Sequence, residues 1–191
     1  MSRSDRASPR KGSSAKPLDS VRLEELALAY VARFATSRAK LSAYLSRKLR
    51  DRGWAGEAEP PVTALVERYA DLGYVDDAAY ARAKAGGLLR RGYGARRVEQ
   101  ALGADGIEPE LREELRPGEV EARRAALSLA RRRRFGPFGG EVPDRARREK
   151  QIAAMLRAGH VMGHAAALID AASEAEAEQW LAEAEAEAEE L

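Results

Sequence analysis

Apolar residues recur along this chain at helical rather than strand intervals. Leu23, Leu26, Ala27, Tyr30, Val31 and Phe34 fall three and four apart, which predicts a helix over 20–34 with one apolar stripe. Thr36 or Ser37 can cap a second helix, 37–52, whose Leu41, Tyr44, Leu45 and Leu49 face inward until Gly53 stops it. After a Gly/Glu/Pro loop, Pro60-Pro61 start a third, 61–72, along Val62, Leu65, Val66, Tyr69 and Leu72. Strand alternation is hardly found anywhere, so the pattern predicts an all-α chain.

The stretch from Leu72 to Leu102 is the most informative. Gly73 can take the positive φ that ends one helix, and Asp76 or Asp77 can accept the unpaired N–H groups at the start of the next. Gly92 and Gly94 then break the chain, and Arg96-Arg97 open a helix with Val98, Ala101 and Leu102 as its apolar positions. The same unit recurs. Leu49, Leu102 and Met155 each stand four residues before a glycine (Gly53, Gly106, Gly159), and successive copies lie 53 residues apart. Further helices are expected at 77–91, 95–104 and 108–116, then at 118–134, 144–158 and 162–171. Three tandem three-helix repeats follow, 18–75, 76–117 and 118–172, forming an elongated, curved array, right-handed or arc-like. The third carries the insertion Phe135–Gly140. Residues 1–17 are expected to be a disordered basic tail and 173–191 an acidic Ala/Glu-rich one.

Charge is distributed unevenly behind a net of +2. Residues 1–17 hold five Lys or Arg against Asp5, and 174–191 hold eight Glu and no cation, leaving 28 basic and 22 acidic side chains in 18–173. A basic body with an acidic tail is the pattern of proteins that work near a polyanion; the alternative, since Arg outnumbers Lys 27 to 6, is a coding bias toward arginine. The absence of cysteine excludes disulfides, thiolate zinc sites and cysteine catalysis. With only two His, no phosphate-binding glycine loop and no triad, no catalytic residue is expected. No apolar run approaches a membrane span and the N-terminus lacks a signal-peptide core, so a soluble cytoplasmic protein is the expectation.

The candidate binding residues are therefore basic. Arg90, Arg91, Arg96 and Arg97 flank the Gly92-Tyr93-Gly94 turn, where Tyr93 can stack on a base or a side chain, or pack inward. Arg131, Arg132, Arg133 and Arg134 end a helix, where cations also suit the macrodipole. Arg145, Arg147, Arg148 and Lys150 open the next one, where the dipole gives cations no help. Arg38, Lys40, Arg47, Lys48, Arg50 and Arg52 surround the second helix and read as a solvated surface. The pair Asp76-Asp77 reads as a cap, and His160/His164, despite i, i+4 spacing, lack a third ligand for a metal. Trp54 is expected to seal the first unit, and Trp180 to dock the tail onto the body or a partner. Repulsion between Glu183/Glu187 and Glu185/Glu189 opposes helix in that tail, which could compete with DNA phosphates for the basic surface or serve as a solubilising appendage.

The segments Thr36-Ser37-Arg38-Ala39-Lys40-Leu41, Leu72-Gly73-Tyr74-Val75-Asp76-Asp77 with Tyr80-Ala81-Arg82, and Arg91-Gly92-Tyr93-Gly94-Ala95-Arg96-Arg97-Val98 resemble the RecX family of bacterial recombination regulators. The similarity runs from about Leu23 to Ala171 and is strongest in the first two units. The third departs most: the family usually carries an aromatic after the glycine of its middle helix, and here His160 stands there. The resemblance implies a non-enzymatic modulator of RecA, without cofactor or metal. It implies an arc of three-helix repeats lying in the groove of the RecA filament on single-stranded DNA, suppressing ATPase, strand exchange and coprotease activity. Weak non-specific DNA affinity and a monomeric state are expected beside it. The alternative is a non-specific DNA-binding helical protein acting directly on nucleic acid.

Overall fold

The computed structural model describes residues 16–140 and 143–190. The expected basic tail therefore lies outside the described residues up to position 15. Among those described, ten α-helices and one 3-10 turn form, and there is no extended strand beyond an isolated bridge between Leu18 and Trp54. The first unit holds α1 (Ser20–Val31), α2 (Arg38–Arg52) and α3 (Val62–Asp71). The second holds α4 (Asp77–Arg90), α5 (Ala95–Ala104) and α6 (Pro109–Glu114). The third holds α7 (Glu119–Arg133), the 3-10 turn Gly136–Gly139, α8 (Arg145–Arg157) and α9 (Met162–Asp170), followed by α10 (Glu174–Glu189). No helix of the described residues is long and apolar enough to cross a membrane.

Local chemistry explains where the helices begin. Asp19, Ser37, Asp76, Asp144 and Ser173 each stand at an N-cap and accept the backbone N–H three residues on, at 2.9, 3.2, 2.8, 2.7 and 3.1 Å. The middle helices end in glycines of positive φ: Gly53 at 81°, Gly106 at 72° and Gly159 at 97°. The regular spacing of these three glycines is thus a spacing of helix stops.

Three apolar clusters form, one per unit. Leu23, Leu41, Leu45 and Tyr69 anchor the first, Ala81, Leu88, Val98 and Leu102 the second, and Leu129, Met155, Leu168 and Ile169 the third. Each fully buried leucine contributes about 1.5–3 kcal/mol relative to exposure. Because no single core runs through the molecule, the units must be held together by something else.

Two expectations are corrected. Phe34, placed on the α1 stripe, lies past the end of that helix and is 56% exposed. The acidic segment is a helix packed on the third unit. Ala177 and Ala184, seven residues apart, are buried, and Glu178 and Glu185 pair with Arg131 and Arg124 on α7. That pairing, the Ser173 cap and glutamates in the first turn offset the Glu–Glu repulsion. Trp180 docks the helix as the sequence suggested: its ring meets His164 edge-on at 5.3 Å and lies under the Arg123 guanidinium at 4.8 Å.

Candidate partner and nucleic-acid interface

The units join end on, through a recurring contact. In each case the turn before the middle helix of one repeat meets the turn after the middle helix of the next. At the first joint, Ser37 Oγ donates to the carbonyl of Asp105 at 2.6 Å, and the Arg38 amide donates to Asp77 Oδ1 at 2.8 Å. The acidic pair therefore divides its work: Asp76 caps its own helix and Asp77 caps α2 across the joint. A Cβ on Gly106 would stand 2.2 Å from that of Ala39, so the units close onto the bare glycine. Lys40 donates to the Tyr80 hydroxyl at 3.0 Å, Tyr80 donates to Asp105, and Lys84 pairs with the same carboxylate. Burial pushes Asp105 up, but the hydrogen bonds from Lys84 and Tyr80 and the charges of Lys84 and Lys40 outweigh it and hold the carboxyl below its usual range. Lys40 is raised, chiefly by its bond to Tyr80.

At the second joint, the Gly94 amide donates to the carbonyl of Ala158 at 2.9 Å, and the Arg96 amide to that of Gly159 at 3.3 Å. A Cβ on Gly94 would lie 2.4 Å from the Gly159 carbonyl, and one on Gly159 would lie 2.4 Å from the Arg97 nitrogen. His160 is buried and its Nε2 donates to the Gly92 carbonyl at 3.0 Å. Desolvation lowers its pKa, against the pull of that carbonyl and with the neighbouring His164 acting in the same downward sense. The residue that stands where an aromatic was expected is therefore a buried hydrogen-bonding wedge between the repeats. Among the described residues no group of His, Cys, Asp and Glu is arranged to hold a metal.

The Gly92-Tyr93-Gly94 turn is thus fixed from beneath. Tyr93 packs half-buried on the second core with the Arg91 guanidinium 6.0 Å from its ring, while Arg90, Arg91, Arg96 and Arg97 are exposed. None of those four arginines makes an ion pair within the described residues. The other two clusters are divided. Arg131 is tied to Glu178 and lies over the Phe138 ring, whereas Arg132, Arg133 and Arg134 are exposed without a carboxylate among the described residues. Arg145 pairs with Glu149 at 3.1 Å, and Arg148 donates through Nε and Nη2 to the two oxygens of Asp170 at 2.5 Å, keeping that carboxyl below its usual range. Arg147 and Lys150 carry no such partner among the described residues. The set on α2 is not simply solvated: Arg38 and Lys40 belong to the first joint, Arg52 binds the Lys16 carbonyl, and Arg47 and Lys48 lie over Tyr44.

Residues 76–115 match the family model described as RecX, second three-helix domain. A regulatory protein RecX of Myxococcus xanthus is 35% identical over 158 residues, covering 78% of this chain and 84% of that protein. The chain belongs to the RecX family. A regulatory protein RecX of Thermus thermophilus is 40% identical over 109 residues, 56% of this chain and 71% of that one. The crystal structure of RecX from Lactobacillus salivarius superposes with a TM-score of 0.60 at 17% identity, over 78% of this chain and 94% of that one, which shows the shared fold. The joints between the repeats were not read from the sequence. Ser37, Gly106 and Gly159 were visible only as a cap and two stops, and Asp105 was not singled out at all; the available signal was the even spacing of the glycine stops.

Proposed function

We propose that the protein binds the filament that RecA forms on single-stranded DNA and lowers its ATPase, strand-exchange and coprotease activities. The match along most of its length to regulatory RecX proteins carries this reading. The geometry supports it in a specific way. Three small cores joined end on present exposed arginine clusters in the second and third repeats. The arginines at the second joint, with Tyr93, and Arg132, Arg133, Arg134, Arg147 and Lys150 in the third repeat are available for acidic protein patches and phosphates. Arg131, Arg145 and Arg148 contribute once their internal carboxylates are displaced. The α10 helix holds Arg124 and Arg131 against its own glutamates, a restraint on polyanion binding. In this reading the protein acts as a cytoplasmic monomer.

The test is ATP hydrolysis by the cognate RecA on single-stranded DNA, with this protein titrated in below stoichiometry and naked-DNA binding measured alongside at several salt concentrations. Inhibition well below the concentration that coats naked DNA is expected. Unchanged hydrolysis with salt-sensitive DNA binding intact would replace the proposal with the second reading, direct non-specific DNA binding, which the unpaired arginines favour.

A further inference from the structure

Repeat 1 carries an aromatic row that starts on the edge of its core and ends in the exposed ring of Phe34. Tyr30 and Tyr44 stack with ring centroids 4.2 Å apart and planes 18° from parallel. Phe34 extends the row, its centroid 5.3 Å from Tyr30 and its ring tilted by 48°. At the other end the Arg47 guanidinium and the Lys48 ammonium sit 5.9 and 5.6 Å from the Tyr44 centroid. Arg33, beside Phe34 in sequence, Arg47 and Lys48 make no ion pair among the described residues. The tyrosines are held by α1 and α2 and pack on the edge of the first core, so the row is rigid before anything binds. Phe34 belongs to none of the three cores and shows more than half its surface to water.

We propose that this face is a stacking platform for single-stranded nucleic acid: an unpaired base packs on Phe34 and the Tyr30–Tyr44 row, and Arg33, Arg47 and Lys48 take the adjoining phosphates. The chemistry decides the class of ligand. An exposed, tilted aromatic ring next to a fixed stack offers a π-face to a planar partner, and flanking cations without carboxylates offer compensation for phosphate charge. Duplex nucleic acid keeps its base faces inside the stack and presents only phosphates and edges here. The platform therefore distinguishes single from double strands through Phe34, whereas the cations bind both. It lies in repeat 1, apart from the arginine turn of repeat 2 and the basic clusters of repeat 3, and it stands whether or not the protein regulates RecA.

The experiment measures binding of three fluorescent ligands of equal length by the full chain: oligo-dT, an abasic phosphodiester strand, and a duplex. Phe34→Ala should weaken oligo-dT binding on the order of tenfold, the loss of one stacked base, and leave the abasic strand and the duplex unchanged. Its salt dependence should keep the wild-type slope, and Phe34→Trp should restore the affinity. The double variant Arg47→Ala/Lys48→Ala should weaken all three ligands and flatten the slope. Helix content by circular dichroism confirms that each variant is folded, which the exposure of these side chains makes the expected result. Wild-type protein that binds the abasic strand as tightly as oligo-dT overturns the platform. So does Phe34→Ala binding oligo-dT unchanged, or losing all three ligands alike. If Phe34→Ala leaves every nucleic acid untouched and weakens only the effect on RecA, the face is a protein contact and the proposal falls.

Discussion

The two joints of this molecule use the same parts of the repeat and opposite chemistry. Both set the cap of one middle helix against the carbonyl before the next glycine stop: Ser37 against Asp105, Gly94 against Ala158. At the first joint side chains carry the contact, and a single carboxylate gathers two ammonium groups and a phenol. At the second the main chains themselves touch, because glycine stands on both sides, and the buried His160 donates across them to Gly92. One repeat geometry thus tolerates an ionic joint and a backbone joint. What both require is the bare glycine that lets the turns approach.

The largest effect should come from filling that space at the second joint. Gly159→Ala puts a methyl 2.4 Å from a backbone nitrogen at a φ of 97°, so neither neighbour nor backbone can give cheaply. A loss on the order of 3 kcal/mol is expected. In urea, the third repeat should then melt in a separate, earlier transition. Gly163→Ala is the control. It lies in α9 with nothing within 4 Å of the added methyl, and should be neutral or stabilise by about 0.5 kcal/mol. A Gly159→Ala protein as stable as wild type would mean that the second joint is not a close backbone contact.

Breaking the ionic joint should cost less. Asp105→Ala removes the acceptor of the Tyr80 hydroxyl and leaves Lys84 only the Ala101 carbonyl, a cost of about 1–3 kcal/mol. The pH dependence follows from the sign of the shift. With its folded pKa below the ordinary value of 3.8, Asp105 adds stability that is fully present above about pH 4 and disappears as pH falls through the folded value. Urea midpoints of wild type and variant should differ by a constant amount from pH 5 to 8 and converge in strong acid. A difference that vanished already at pH 6 would remove Asp105 from the joint.

Most of the helices were legible because each obeys a local rule. Asp19, Ser37 and Asp76 start helices by capping them, and glycines end them. The joints were not legible, because Gly94 and Gly159 announce only conformational freedom; their real reason is the other's main chain, 65 residues away in sequence. Phe34 misled for a related cause. It keeps the helical spacing of the α1 stripe, but the helix stops at Val31, so the pattern outlasts the element that would give it meaning. The acidic segment misled in the other direction. Its charges repel one another locally, while the arginines that neutralise them lie on α7 and no local rule reports them. The candidate arginines were chosen by residue type and clustering alone. Which of them are already paired, as Arg148 is with Asp170, depends on neighbours brought together by the fold.

The smallest effect should separate the joints by proton rather than by mutation. His160 is buried with its pKa lowered from 6.5, so the unfolded chain binds a proton that the folded one resists. Its contribution is complete above about pH 6.5 and is lost progressively as pH falls toward the folded value, by no more than about 1.4 kcal/mol per pH unit for one proton. The Gly94 and Arg96 amides, which donate across this joint, report it directly by hydrogen exchange. After correction for intrinsic rates, their protection should fall between pH 7 and 5.5. The Arg38 amide at the first joint, bound to a carboxylate, should hold its protection over the same range. His160→Phe, which removes the titrating group, should abolish the pH dependence at Gly94 while leaving Arg38 as it was. Equal acid sensitivity at both joints would mean that the histidine does not act where it is buried.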